Sequence, residues 1–254
     1  NEAVRTERVA AIAGLPTGAV FSPRDVERAA TRLRRTGAFS SVALSEAEQI
    51  SEGDTLGIMA QVSEDKPRRL GFGVEYSTVD GLGLTGFWMH RNFFGGAENL
   101  RADACVSGLG GETGGIDYLL SLSFLRPATI NANTDLFANA KVQVSNEPNY
   151  YLEEAGIEVG PRRQIGDNVT LSAGVGALTA HVEDDLGIRD YSLLTLPLTG
   201  ELDRRDNPLD ATAGYYLALD ITPFAGFGDV GSGVRLYADG RYFRSVGAND
   251  RVTF

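Results

Sequence analysis

The chain has 254 residues, 43% of them apolar, with 31 glycines and a single cysteine, Cys105. That composition excludes a disordered chain, an internal disulfide and a cysteine-ligated metal site. The net charge of −11 is unevenly placed: ten basic and ten acidic residues up to Leu70, thirteen basic and twenty-four acidic beyond it. An acidic balance argues against nucleic acid as a partner.

No run of 18 or more apolar residues is present to form a transmembrane helix. Asn1 to Arg5 does not read as a signal peptide, so an envelope location needs a signal upstream of Asn1.

The first segment reads as mixed α and β. A short helix is expected from Thr6 to Ala13, with Val9, Ile12 and Ala13 inward and Gly14 ending it. A second starts at Ser22-Pro23-Arg24-Asp25, with Ser22 as N-cap and Pro23 at the first helical position. Val26, Ala29, Ala30 and Leu33 follow at helical spacing, and Gly37 supplies the stop. Arg28, Arg32 and Arg35 form a basic stripe on this helix, either a solvated face or a docking surface for a periplasmic partner. Two strand-like runs follow, Phe39 to Ala47 and Thr55 to Ser63.

The charged run Glu64-Asp65-Lys66-Pro67-Arg68-Arg69 reads as a solvated joint, dividing the chain into residues 1–66 and 67–254. Beyond it the period is two. Leu70, Phe72, Val74 and Tyr76 alternate with Gly71, Gly73, Glu75 and Ser77. The same alternation runs through Leu100 to Ser107, Ile116 to Phe124, Leu136 to Val144, Val169 to Ala177 and Val234 to Arg241. About eleven strands of roughly ten residues result, the length and one-faced pattern of a transmembrane β-barrel. Lipid cannot satisfy backbone polar groups, so such strands must pair with one another. A soluble barrel or sandwich also alternates, and its apolar face would be a sealed core.

Three stretches carry a family resemblance. Val9 to Leu15, Leu33 to Val42 and the strand closing on Glu64 resemble a POTRA domain, the small β-α-α-β-β module of outer-membrane assembly and secretion proteins. That module's first strand would precede residue 4, so the chain reads as truncated there. The run Arg91-Asn92-Phe93-Phe94-Gly95-Gly96, continuing to Leu100, resembles the turn after the second barrel strand in the BamA/TamA superfamily. Asp203-Arg204-Arg205-Asp206-Asn207-Pro208, continuing to Gly214, resembles that superfamily's later turn, with Arg204 in place of a small residue and Ala211 in place of a proline. Asn92, Gly95 and Gly96 permit positive φ, and Asp203, Arg205 and Asp206 can pair to shut the longer turn. Both turns fall on one side, opposite 108–114, 145–149, 180–190 and 223–232. The wording from Leu70 to Leu100 is nearest the TamA branch.

The resemblance implies a POTRA-like domain feeding an antiparallel barrel in the outer membrane of a Gram-negative bacterium, with the N-terminal domain in the periplasm. It implies no enzyme activity, no cofactor and no nucleotide. Family barrels have sixteen strands, and a Val-Arg-Gly-Phe-type motif is not found here, so the C-terminal part of the barrel, beyond the strand-like run Arg251 to Phe254, is expected to be absent. The implied action is insertion or export through a lateral seam at the first barrel strand, Leu70-Gly71-Phe72-Gly73-Val74-Glu75-Tyr76, where Gly71 and Gly73 would weaken side-chain contact. Implied partners are outer-membrane lipid, unfolded outer-membrane or autotransporter clients, and a TamB-like periplasm-spanning protein. A two-partner secretion transporter or a passive pore is the alternative; a soluble β-rich binding module survives only if the barrel reading fails.

Other constellations carry less. His90 and His181 share no catalytic spacing, and neither has a second metal ligand at a recognisable interval. His90 reads as interfacial beside Trp88, and Cys105 as a small filler on the lumen face. Glu183-Asp184-Asp185 lacks Ca²⁺-loop spacing. Gly71-Phe72-Gly73 and Gly81-Leu82-Gly83 precede no helix and are not phosphate loops.

Overall fold

The computed structural model describes residues 3–51, 54–112, 114–246 and 250–253. Asn1, Glu2, Thr113 and Phe254, which enter the readings of the N-terminus, a loop and the closing run, lie outside them.

The chain begins with α1 (Thr6–Ala13) and α2 (Pro23–Arg35), then β1 (Phe39–Ser51) and β2 (Thr55–Glu64), which pair antiparallel. Gly14 takes φ +56° and its N–H donates to Ala10 O, closing α1. Ser22 takes the expected N-cap position, extended before α2, although its hydroxyl makes no capping bond. Pro23, whose φ is preset, and Asp25 in the first turn set the start instead. Ile12, Ala29, Leu33, Ala38 and Phe39 form the apolar core of this unit. That core also contains Ala97 and Ala128, which belong to hairpins of the following sheet. The helices therefore pack onto the sheet's rim as well as onto each other.

The remaining strands are β3 (Arg68–Ser77), β4 (Gly81–His90), β5 (Asn99–Leu109), β6 (Asp117–Asn131), β7 (Thr134–Glu147) and β8 (Tyr150–Ile165). They continue as β9 (Val169–Ala173), β10 (Val175–Asp184), β11 (Gly187–Thr195), β12 (Leu198–Asp203), β13 (Ala213–Gly228), β14 (Gly233–Val246) and β15 (Asp250–Thr253). All pairings are antiparallel between chain neighbours, with β3 at one edge. β9 and β10 are one strand interrupted at Gly174; β11 and β12 are one strand interrupted at Leu196-Pro197. Counting each as one gives eleven runs among the described residues.

Several strands outrun the expected ten residues: β6 has 15, β8 and β13 have 16. Their ends, such as Arg162-Arg163-Gln164 on β8, have lost the apolar alternation, which is why the pattern underestimates them.

The apolar face looks outward. Leu70, Phe72, Val74, Leu120, Leu122 and Val142 are exposed; Val144 is half-buried. The polar face is concave: Asn139, Lys141 and Glu158 of β7 and β8 share a cavity of about 440 Å³ with Arg235 of β14. Apolar residues of the strands therefore do not converge on a sealed core, and the sandwich alternative fails. The end of the sheet carrying the helices is called the near rim below. It bears the β4–β5, β6–β7, β8–β9 and β12–β13 connections.

Candidate functional site

The first element of the site is the β3 edge. β3 pairs with β4 from Arg68 opposite His90 to Ser77 opposite Gly81. Its other side has no strand partner among the described residues. Leu70, Phe72, Val74 and Tyr76 project outward and are 74%, 88%, 68% and 73% exposed. Such an edge presents unpaired backbone donors and acceptors beside a continuous apolar row.

Gly71 and Gly73 have a packing reason on the β4 side. The inward side chains of β4 lie over them. A Cβ at Gly71 would stand 2.3 Å from Phe87 Cε1, and one at Gly73 2.7 Å from Thr85 Oγ1. Phe87 in turn lies under the Arg101 guanidinium, 4.2 Å from its ring centroid, and Arg101 holds Asp103 through Nε at 2.8 Å. The glycines thus seat β4 closely on the edge strand. A Gly71→Val protein should lose about 2 kcal/mol through overpacking, measured by denaturant unfolding, with Phe87→Ala restoring most of it. An equal loss in both backgrounds would refute the steric account.

The second element is the β4–β5 hairpin, 91–98. Arg91 pairs with Asp65 of the joint, and its N–H donates to Pro67 O at 2.8 Å. Asn92 accepts the Ala97 N–H on its Oδ1 at 3.0 Å, and Phe93 N–H donates to Glu98 O at 3.0 Å. Positive φ falls on Gly95 (+83°) and Ala97 (+62°), not on Asn92 or Gly96. Asn92 closes the turn through its carboxamide instead. Phe93 and Phe94 link Trp88 to Phe124 through edge-to-face contacts with centroids 4.8 to 6.4 Å apart. His90 is buried beside Trp88, and its Nδ1 accepts the Asn92 N–H at 3.2 Å.

At the centre lies Glu98, a residue the sequence reading passed over. Its side chain is 2% exposed. It accepts the N–H groups of Gly96 at 2.7 Å and Phe94 at 3.2 Å and stands 3.9 Å from Arg126 Nε. Arg8 of α1 bonds the carbonyls of Pro127 and Ala128, and Arg5 N–H donates to Gly95 O at 3.0 Å. Burial and then Arg126 lower the Arg8 guanidinium, and Glu98 opposes them. One carboxylate therefore balances two cations where the helical unit meets the rim. The available signal in the sequence was a single acid closing a glycine-rich turn.

The third element is the β12–β13 turn. Arg205 grips Asp203 with Nε to Oδ1 at 2.8 Å and Nη2 to Oδ2 at 2.5 Å, and donates from Nη1 to Pro208 O at 3.1 Å. Asp206 accepts from the Thr212 hydroxyl and from the N–H groups of Ala213 at 3.0 Å and Thr212 at 2.9 Å. Those bonds hold its carboxyl well below the usual carboxylate range. Gly214 takes φ +107°, with Arg204 O where a Cβ would fall. Both turns occupy the near rim.

The arginine stripe does not survive as a unit. Arg32 turns inward, its Nε donating to Ala13 O at 3.1 Å and its Nη1 to Asn133 Oδ1 at 3.3 Å. Arg28 pairs with Asp25 at 3.5 Å, and Arg35 lines a small crevice with Asp135 and Arg162. Helical spacing placed them on one face, but the open carbonyls at the end of α1 recruit the middle one.

Comparisons with known proteins follow this geometry. The Omp85 superfamily domain matches residues 92–254. The fold matches BamA from Haemophilus ducreyi lacking POTRA domains 1-3, with TM-score 0.66 and 15% identity over 95% of this chain and 49% of that one. It also matches CdiB from Acinetobacter baumannii, with TM-score 0.65 and 10% identity over 99% of this chain and 50% of that one. The chain thus spans about half the length of these solved chains. No curated protein sequence matches it. With the domain match covering more than half of its residues, the chain belongs to the Omp85 superfamily.

Proposed function

We propose that this protein is an outer-membrane assembly or translocation factor of a Gram-negative bacterium, which inserts or exports envelope proteins through a lateral seam at β3. In this reading 1–66 is a POTRA-like periplasmic domain that receives unfolded outer-membrane or autotransporter clients. The wording of Leu70 to Leu100 favours a TamA-type role, with a TamB-like periplasmic partner and membrane lipid among the molecules handled. No enzymatic step is assigned.

The observation that carries the reading is the outward apolar row of β3, ten residues long, on the first strand of the sheet in an Omp85 superfamily chain, where lipid would lie against it. An incoming client strand can add to the edge of such a strand through main-chain bonds. The test is capture of a client. Single cysteines replace Leu70, Phe72, Val74 or Tyr76 in a Cys105→Ser background of the full-length protein. A cysteine-bearing client strand should cross-link at all four positions, in a register that shifts by one client residue per β3 residue. Absence of cross-links, with the protein folded, would favour a passive pore or a secretion path through the lumen.

A further inference from the structure

The strand interruptions are not scattered. Gly160-Pro161 on β8 lies opposite Ala173 and Gly174, where β9 passes into β10. Gly174 N–H donates to Pro197 O at 2.8 Å, and Leu196 N–H donates to Pro223 O at 2.9 Å. Pro161, Pro197 and Pro223 thus stand at one level on three strands, with Gly174 on a fourth between the first two. Proline has no N–H for the ladder and is tolerated inside sheets at irregularities. A Cβ at Gly160 would meet Ala173 O at 1.9 Å. The result is a crease across the wall from β8 to β13.

On the outward face the crease borders a shallow, open recess of about 570 Å³. Pro161, Leu171, Ala173, Leu198, Leu219 and Ile221 line it. Arg163 stands at its near-rim end, exposed, opposite Thr134 and Leu171. Three arginines of this rim are paired: Arg91 with Asp65, Arg126 with Glu98 and Arg205 with Asp203. Arg163 makes no ion pair or side-chain hydrogen bond with a described residue. An unpaired guanidinium at the mouth of an apolar slot on an apolar wall complements a phosphate ester carrying an acyl chain.

We infer that the recess between Pro161 and Ile221 binds one anionic glycerophospholipid, its acyl chain in the crease and its phosphate on Arg163. This rests on the outer-membrane reading. It lies several strands from β3, so it is distinct from the seam.

The test is native mass spectrometry of the full-length protein in detergent, titrated with phosphatidylglycerol, chain-matched phosphatidylcholine or inorganic phosphate. One phosphatidylglycerol should be retained about fivefold better than phosphatidylcholine, the gain expected of one arginine near a lipid surface. Arg163→Gln should remove that preference, and Leu198→Trp, which fills the slot, should lower retention of both lipids. Equal retention of the two lipids by the unaltered protein, or an unchanged preference in Arg163→Gln, overturns the inference. So does displacement of phosphatidylglycerol by millimolar phosphate, which would mark a phosphate site. Failure of the protein to fold into vesicles of these lipids overturns the membrane reading itself, whereas folding without lipid preference removes this inference alone.

Discussion

A disulfide joining Val74 to the strand that faces β3 across the seam should abolish client insertion, and reduction should restore it. On the proposed lateral-seam reading, insertion exchanges the seam's backbone bonds for bonds to the client, and a covalent staple forbids the strands from parting. The loss should be at least about tenfold in rate, because a staple removes the opened state rather than weakening one contact. Cys105→Ser is the necessary background, since Cys105 stands on β5, opposite Thr85 of β4. The control is built into the register: Val74 lies opposite Leu84 on β4, so a Val74–Leu84 disulfide strengthens a pairing that never needs to open. That protein should insert clients at the normal rate. A seam-stapled protein that retains full activity would rule out lateral opening and leave the passive-pore reading ahead.

Glu98→Ala should destabilise the protein by about 3 kcal/mol and loosen the helical unit from the rim. Removing the carboxylate leaves two turn N–H groups without their acceptor, and bonds to a charged acceptor each contribute about 1.5–3 kcal/mol. It also removes the charge that opposes Arg126 beside the partly buried Arg8, which adds to the loss. Arg126 is partly exposed, so the total lies toward the lower end. Denaturant unfolding should report the loss, and limited proteolysis should cut the joint at Asp65 to Arg69 several-fold faster. Glu98→Gln keeps an amide oxygen where Oε2 accepts both N–H groups but removes the charge, and should fall between the two. A Glu98→Ala protein within about 0.5 kcal/mol of the parent, with an uncut joint, would remove Glu98 from the centre of this junction.

Local chemistry alone determined a good part of this molecule. Pro23 and Gly37 bound α2, and Gly14 ends α1, because preset or left-handed φ is a property of those residues. The period of two sorted Leu70, Phe72 and Val74 to one face and Gly71, Gly73 and Glu75 to the other, because successive side chains of a strand must alternate. The charged joint ending at Pro67 made β3 readable as the first strand of the sheet.

What the sequence could not determine is whatever depends on register between distant residues. Phe87 over Gly71 explains that glycine, and it sits on another strand. Arg32 leaves its stripe for carbonyls at the end of α1, nearly twenty residues earlier. Glu98 reads as one more surface acid until Arg8 and Arg126 arrive from positions 90 residues before it and 28 after it. Gly160, Gly174, Pro197 and Pro223 look like separate blemishes in separate strands. Only strand pairing brings them to one level, because cross-strand hydrogen bonds, not local propensity, decide which residues become neighbours.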